Sequence, residues 1–202
     1  MNELLNSCLL TFVILLTLGE LQAQNSPWKR YLVAGNEAAQ YGRDAEAEKW
    51  YRLALAEAEH FGEKDERLAT SLRSVALVLK VEGMLTESAD KLTEARQLFS
   101  RLLQITSRNH GANNREVGFV WMEIGEVFKT EGNLPEAEAA YKRNLIIQRI
   151  NLERHDSKQN GYAYKHAVEE LANIYCLQDR YKEARLIDKT IVPDCVQGER
   201  QP

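Results

Sequence analysis

Proline and cysteine are scarce in this sequence. Only four prolines and three cysteines occur among its 202 residues, whereas hydrophobic residues make up 44% and charged residues 28%. Few helix breakers and many apolar residues exclude a disordered chain and favour a folded, helical one. At this length the chain can bury a core without relying on disulfides or metals.

An excess of positive charge is also missing. The formal net charge is -4, and the sequence has no basic stripe of the kind that binds nucleic acid. It contains no HExxH, CxxC or glycine-rich phosphate loop. His166 and Glu169 lie one helical turn apart, but a metal site requires further ligands. We therefore predict a protein that is not an enzyme, without catalytic residues, metal, cofactor, nucleic acid or small-molecule substrate.

The first 23 residues differ in composition from the rest of the chain. They contain no Lys or Arg, and the run 9–18 is apolar apart from two threonines. As a helix this run would be about 15 Å long, well short of the roughly 30 Å hydrocarbon core of a membrane. We predict that residues 1–23 are a signal segment, cleaved after Ala23 or Gly19, and that the mature protein is secreted or periplasmic. Because positive charge is missing before the apolar run, an uncleaved membrane tether and a cytoplasmic chain are the alternatives.

Four segments of the chain share one pattern of small and large residues. They start at Trp28, Ala69, Gly118 and Lys165. Each has a small residue at its eighth position, namely Gly35, Ala76, Gly125 and Ala172. The predicted turn residues are Gly42, Gly83, Gly132 and Asp179, and the small residues that open the packed face of a second helix are Ala47, Ser88, Ala137 and Ala184. Two helices approach closely only where side chains are small, and Gly, Asp or Asn tolerate the positive φ of a turn.

The larger residues of the pattern are predicted to fill the core. One row consists of Tyr31, Leu72, Trp121 and Val168, and a second row consists of Ala38, Leu79, Phe128 and Tyr175. The stretches between the segments carry the predicted helix N-caps Asp65, Asn114 and Asn160. We read these stretches as loops with an added helical turn.

The third segment carries the most specific motif. Trp121, Gly125 and Phe128 are followed by Ala137 and Tyr141, which resembles the W-x2-L-G-x2-Y and A-x3-F/Y pattern of the tetratricopeptide repeat. The segments start 41, 49 and 47 residues apart, similar to the longer repeats of kinesin light chains and of many bacterial proteins. The resemblance implies an all-α fold, a right-handed solenoid of about four antiparallel helix-turn-helix hairpins.

The pattern predicts three regions: a signal segment at 1–23, a tetratricopeptide-repeat domain at 24–193 and a polar C-terminal tail at 194–202. The four repeats are predicted at about 28–61, 69–102, 118–151 and 165–198. The fourth repeat is atypical, because Asp188 stands where the pattern has an aromatic residue.

Two cysteines fall within or beyond the last repeat. Cys176 lies near the turn of the last hairpin and Cys195 lies past its far end. A helix between them would hold them about 15 Å apart, and a disulfide requires Cα atoms within about 7 Å. We expect two unpaired thiols, and a disulfide is the alternative.

The resemblance also implies where a partner binds. In this family the first helices line a concave groove, and contacts come from the second, fifth, ninth, twelfth and thirteenth positions. Here these positions include Lys29, Asn36, Arg73, Lys80, Met122, Lys129, His166 and Asn173. Four of them, Lys29, Arg73, Lys80 and Lys129, form a basic track, which suggests an acidic or C-terminal peptide as ligand. Glu126 and Glu169 interrupt this track, and solvated lysines on an exposed helix face are the alternative interpretation.

These features predict a protein-protein interaction module, an adaptor or scaffold that binds a partner peptide or helix in its concave groove. The alternative is a self-associating or membrane-tethered structural subunit of an envelope complex. A homo-oligomer is a further option, raised by the apolar residues at the end of the last repeat, which are Leu186, Ile187, Ile191 and Val192.

Overall fold

The computed structural model describes residues 26–155 and 157–191. Within these ranges the chain forms eight α-helices and no strands, which confirms the predicted all-α class. The helices are α1 Pro27–Gln40, α2 Asp44–Glu59, α3 Glu66–Thr86, α4 Ala89–His110, α5 Arg115–Thr130, α6 Leu134–Arg154, α7 Lys158–Leu177 and α8 Tyr181–Leu186. The predicted signal segment 1–23 and the predicted tail 194–202 lie outside the described residues.

The helices form four hairpins, α1/α2, α3/α4, α5/α6 and α7/α8, and each helix packs mainly on the helices before and after it in the chain. Such nearest-neighbour packing is the arrangement of a solenoid. Within the described part of the chain, no helix combines the length and the apolar character that a membrane span needs.

Short polar side chains begin the first helices of the hairpins. The side chains of Ser26, Asp65, Asn114 and Ser157 each accept a hydrogen bond from a backbone N–H in the first turn. These bonds satisfy donors that have no partner within the helix. The predicted caps Asp65 and Asn114 are confirmed, but Asn160 is not a cap. It lies in the first turn of α7, where its Nδ2 donates to the carbonyl oxygen of His155 at 2.7 Å.

Three of the four predicted turn residues have positive φ: Gly42 at 67°, Gly132 at 73° and Asp179 at 59°. The prediction for Gly83 is wrong, because α3 continues through it to Thr86 and Glu87 takes the positive φ of 53°. Gly83 instead faces Leu92, and a Cβ at Gly83 would lie 2.8 Å from the Leu92 Cγ. Its small size therefore permits close approach of α3 and α4.

The second helices pack as predicted in three of four hairpins. Ala47 and Ala137 are fully buried and Ala184 is 1% exposed. Ser88 is different because α3 is one turn longer: it is the N-cap of α4, and its side chain accepts from the Lys91 N–H.

The apolar core consists of two clusters. The first joins the hairpins α1/α2 and α3/α4 to α5 and to Ala140 of α6, and the second joins other buried residues of α6 to α7 and α8. Phe128 packs against both clusters and so connects them. Of the predicted core rows, Leu72, Val168, Ala38, Leu79 and Tyr175 are buried, and Tyr31, Trp121 and Phe128 are half-buried.

Candidate functional site

The first-helix face is the surface formed by α1, α3, α5 and α7, and the predicted groove residues are distributed along it in pairs. Lys29 and Asn36 lie on α1, Arg73 and Lys80 on α3, Met122 and Lys129 on α5, and His166 and Asn173 on α7. Each pair is separated by seven residues, about two helical turns, so both members point to the same side of their helix.

Three cations of the predicted basic track are bound to carboxylates of the next hairpin. Arg73 Nη2 lies 3.0 Å from the Glu116 Oε2, and Lys80 Nζ lies 2.6 Å from the Glu123 Oε2. The third cation, Lys129, has its Nζ 3.2 Å from the Glu170 Oε2. This part of the track is therefore charge-neutralised within the protein, so an acidic ligand would have to displace these carboxylates.

Lys129 is the most strongly held of these cations, because its Nζ also lies 2.9 Å from the Glu126 Oε2. Burial alone would lower the pKa of Lys129, but its bond to Glu126 and the charges of Glu126 and Glu170 outweigh burial and hold that pKa above its ordinary value. Burial alone would likewise raise the pKa of Glu126, and the bond to Lys129 instead lowers it. Both groups are ionised near neutral pH.

The carboxylates of these pairs were not predicted from the sequence. Lys80 and Glu123 are 43 residues apart, and Lys129 and Glu170 are 41 apart, which is close to the spacing of the repeats. A search for opposite charges separated by about one repeat would have found them, because neighbouring hairpins place such positions side by side.

An apolar pocket lies between α3 and α5 on this face. Its volume is about 190 Å³, and the half-buried side chains of Leu77, Phe119 and Met122 line its mouth. Arg73 also lines it, together with Glu116, its ion-pair partner. Pockets for drug-sized ligands are larger, about 300 Å³ or more. This pocket is therefore of a size for one large apolar side chain.

A polar pocket of about 250 Å³ adjoins the apolar one and shares Arg73 and Glu116 with it. His110 Nε2 lies 3.0 Å from the Glu66 Oε1 at its wall. The Thr106 hydroxyl is buried there, and no hydrogen-bond partner for it exists among the described residues. The crevice between α3 and α5 thus changes from polar to apolar along its length.

The remaining predicted groove residues are not gathered into this crevice. Lys29 lines a shallow surface of α1 with Val33 and Glu37. The Asn36 Oδ1 accepts a hydrogen bond from the buried Tyr51 hydroxyl at 2.9 Å. His166 Nε2 lies 3.9 Å from the Glu170 Oε1. Asn173 is exposed on α7.

In the third hairpin, a tyrosine of the second helix forms a hydrogen bond with a side chain of the first helix on the groove side. Tyr141 is buried, and its hydroxyl donates to the Glu126 Oε2 at 3.0 Å. Burial raises the pKa of Tyr141, and the neighbouring charges of Glu126 and Glu170 raise it further. The second helix of this hairpin therefore positions a side chain on the first-helix face, as Tyr51 does for Asn36 in the first hairpin.

The end of the last hairpin differs from the sequence-based expectations. Ile187 and Ile191 pack against the second core cluster, whereas Leu186 is 66% exposed. Val192 lies outside the described residues. Cys176 is disulfide-bonded, which corrects the expectation that it is an unpaired thiol. That expectation assumed a helix extending well beyond the turn, but α8 ends at Leu186. Cys195 lies outside the described residues.

No group of three or more His, Cys, Asp or Glu side chains within residues 26–155 and 157–191 is arranged to hold a metal ion. What the described residues share is a repeated helical hairpin with close approach at Gly35 and Gly125, and this architecture is a tetratricopeptide-repeat-like solenoid.

Solved structures of the same architecture support this assignment. The chain is similar to the crystal structure of BtubC (BKLC) from P. vanneervenii, with a TM-score of 0.67, 21% identity and 79% of this chain covered. It spans 61% of the length of that protein. It is also similar to the nearly identical TPR-like repeats of a Podosopora anserina protein described as a kinesin light chain, with a TM-score of 0.63, 16% identity, and coverage of 79% of this chain and 72% of that one. Identities this low establish the fold alone. No protein-family model matches the chain, and no curated protein sequence matches it.

Proposed function

We propose that this protein is a non-catalytic interaction module that holds a segment of a partner protein on its first-helix face. The apolar pocket between α3 and α5 would take one bulky apolar side chain of that segment. The observation that carries this proposal is the pocket itself, in which Leu77, Phe119 and Met122 present apolar surface beside polar groups that already have partners.

The charge distribution on this face favours an apolar anchor over a purely acidic ligand. Arg73 and Lys80 are ion-paired with Glu116 and Glu123. A carboxylate of a ligand would replace an existing carboxylate, so the net gain of electrostatic energy would be small. Burial of an apolar side chain has no such competitor, and full burial of a Leu or Phe side chain stabilises by about 1.5–3 kcal/mol. The pocket is thus the stronger source of affinity.

Selection of peptides from a random displayed library tests this proposal directly. We expect selected peptides to share one bulky apolar residue, and we expect Met122→Lys to weaken their binding by about tenfold or more because it places a charge at the pocket mouth. Met122→Leu, which keeps an apolar side chain of similar volume, is the matched control and should retain binding.

The proposal fails if Met122→Lys and Met122→Leu bind the selected peptides equally well. Urea denaturation of both variants shows whether they are folded. Met122 is half-buried and packs against the second core cluster. Because the stem of a lysine can cover the same surface while its amino group extends to solvent, we expect Met122→Lys to lower the urea midpoint only modestly and Met122→Leu to unfold near the wild-type midpoint.

We also propose that the protein is exported after cleavage of residues 1–23. The disulfide at Cys176 supports this, because disulfides persist mainly in oxidising compartments outside the cytoplasm. Mass measurement of the chain from its native source, alkylated before and after reduction, tests both parts. We expect a mature N-terminus near residue 24 and a Cys176 that is alkylated only after reduction. An intact Met1 on membrane-associated material would instead support the tethered alternative.

Self-association through the last hairpin is a second candidate function. Leu177 and Leu186 are 59% and 66% exposed on α7 and α8, and two exposed leucines near the end of a solenoid can bury surface against another copy. Light scattering over a range of concentrations tests it. A dimer that dissociates on Leu186→Lys substitution would support this function, and a monomer at high concentration would exclude it.

A further inference from the structure

A second crevice lies on the second-helix face, which is the surface formed by α2, α4, α6 and α8. It runs between α4 and α6 above α5 and has a volume of about 250 Å³. Its apolar lining comes from Leu103 on α4, Val117 and Trp121 on α5, and Ile146 and Ile147 on α6. It lies on the side of the solenoid away from the predicted groove.

Apolar surface in this crevice is open to solvent. The Ile146 side chain is 55% exposed, and Trp121 is half-buried although the sequence places it in the core. An apolar concavity of this volume, smaller than the roughly 300 Å³ of a drug-sized pocket, is suited to one or two large side chains.

The two junctions that flank this crevice on the second-helix face are bridged by ion pairs. Between α2 and α4, Lys91 Nζ lies 2.9 Å from the Glu48 Oε2, and Arg52 binds both carboxylate oxygens of Glu94 at 2.8 Å. These pairs close the space between the second helices of the first two hairpins.

At the junction of α6 with the last hairpin, Arg180, the N-cap residue of α8, has its Nη1 2.6 Å from the Glu138 Oε2. Between α4 and α6 the described residues form one ion pair, in which the Arg96 Nε lies 3.7 Å from the Glu131 Oε2 in the turn before α6. The stretch of this junction that the crevice occupies, around Leu103 and Ile146, has no such pair among the described residues.

One cation at the crevice has no partner in the part of the chain that the structure describes. Arg143 lines it and is exposed, and it forms no ion pair or hydrogen bond through its side chain with any described residue. The residues of α4 that line the opposite wall are Leu103 and Ser107, and neither is acidic. An arginine fork beside an apolar cavity matches a ligand that presents a carboxylate and a bulky apolar side chain close together.

We infer that this crevice is a second protein-binding surface, which holds a segment of a partner protein carrying a bulky apolar side chain next to a carboxylate. The apolar side chain enters between Leu103, Trp121 and Ile146, and the carboxylate pairs with Arg143. The segment thereby supplies the acidic group that Glu48, Glu94 or Glu138 supplies at the other junctions.

The experiment uses the full chain with Met122→Lys, so that the first-helix pocket does not contribute. A random peptide library displayed on phage is selected against this protein, and enriched peptides are synthesised with a fluorescent label for polarisation measurements. We expect the peptides to combine Asp or Glu with a large apolar residue. Arg143→Glu should weaken them by about tenfold or more, and Ile146→Ala should weaken them by a smaller factor.

The matched control is Arg154→Glu, which makes the same charge change at another exposed arginine of α6 that has no side-chain partner among the described residues. It should leave binding unchanged. Peptides in which the acid is replaced by Lys should bind Arg143→Glu better than they bind the parent. Equal binding to Arg143→Glu and Arg154→Glu, or no enrichment of acidic and apolar peptides, would overturn the inference. Because every variant carries Met122→Lys, these outcomes do not depend on the first-helix pocket.

Discussion

Substitution of Gly35 by Ala tests the close approach of α1 and α2. A Cβ at Gly35 would lie 2.5 Å from both Cδ1 and Cε1 of Tyr51, whereas carbon atoms normally pack at about 3.5–4.0 Å. The ring or the helix must therefore move by about 1 Å. Tyr51 is 7% exposed, and its hydroxyl donates a hydrogen bond to the Asn36 Oδ1 at 2.9 Å. The ring therefore has little freedom to move.

Two opposing effects determine how much Gly35→Ala changes the free energy of unfolding. Removing a glycine from a helix interior stabilises by about 1 kcal/mol, and overpacking a close contact costs about 1–3 kcal/mol. We expect Gly35→Ala to lower the free energy of unfolding by about 1 kcal/mol. At Gly161 in α7, no described atom outside its own helix lies within 4 Å of the position that a Cβ would occupy. Gly161→Ala should therefore raise the free energy of unfolding by up to about 1 kcal/mol.

Urea denaturation followed by circular dichroism measures both variants, and a double-mutant cycle with Tyr51→Leu locates the cause. In the Tyr51→Leu background the smaller side chain leaves room, so Gly35→Ala should become stabilising and the coupling energy should be about 2 kcal/mol. If Gly35→Ala stabilises equally in both backgrounds, the ring does not fill this space and the reasoning is wrong. Gly125, whose Cβ would lie 3.0 Å from Tyr141 Cε1, should show the same sign with a smaller effect.

Two further predictions concern polar groups, the half-buried Glu48 and the buried Gln148. Burial alone would raise the pKa of Glu48, but hydrogen bonds from Lys91 and Arg52 lower it from 4.5 to about 2. A carboxylate whose pKa is lower in the folded than in the unfolded state stabilises the fold at pH values above its ordinary pKa. This contribution is lost as the pH falls from 4.5 towards 2. Glu48→Gln should therefore reduce the acid-induced fall of urea midpoints in that range, and an unchanged pH profile would contradict the assignment. Gln148 is 1% exposed, and its Oε1 has no partner within the described part of the chain. Its Nε2, however, donates to the Oδ1 of the buried Asn144 at 3.0 Å. Gln148→Met leaves that oxygen without its donor, so we expect it to lower the free energy of unfolding by about 1–3 kcal/mol, and an unchanged urea midpoint would contradict this reasoning.

The hairpins could be predicted from the sequence because they depend on local chemistry. Gly42, Gly132 and Asp179 do adopt positive φ at their turns, and Asp65 and Asn114 do cap helices. Each of these roles depends on the residue itself and on its nearest neighbours in the chain.

Errors arose where one residue type serves two roles. Gly83 permits either a positive φ or a close helix contact, and only the position of Leu92 shows that it serves the second role. Ser157 and Asn160 are both suitable N-caps, and α7 begins at the earlier one. The sequence contains each of these alternatives, but tertiary packing selects between them.

The candidate site was predicted less completely, because its chemistry depends on contacts between repeats. Arg73, Lys80 and Lys129 were correctly placed on first helices, but their carboxylate partners lie on the next hairpin. The alignment of one hairpin against the next depends on loop lengths that vary between the repeats, so a pattern within single repeats does not reveal these pairs.

Exchange of the charges of Lys80 and Glu123 separates the two interpretations of the first-helix face. The Lys80 Nζ and the Glu123 Oε2 are 2.6 Å apart, and the two side chains are 15% and 21% exposed. Lys80→Glu/Glu123→Lys keeps an ion pair and the net charge but moves the cation from α3 to α5. Glu123 also lines the pocket, but it is already charged and the exchange keeps the ion pair at that position. If an apolar side chain in the pocket provides the affinity, peptide binding to the double variant should therefore stay within about threefold of wild type.

If instead a basic track binds an acidic segment, moving the cation should weaken binding by about tenfold or more. Lys80→Glu alone is the internal control: it places two carboxylates side by side and should destabilise the fold by about 1 kcal/mol or more, and the second substitution should restore most of that loss. If the double variant recovers stability but does not recover peptide binding, the position of the charge matters to the ligand. The pocket would then be only part of the binding site.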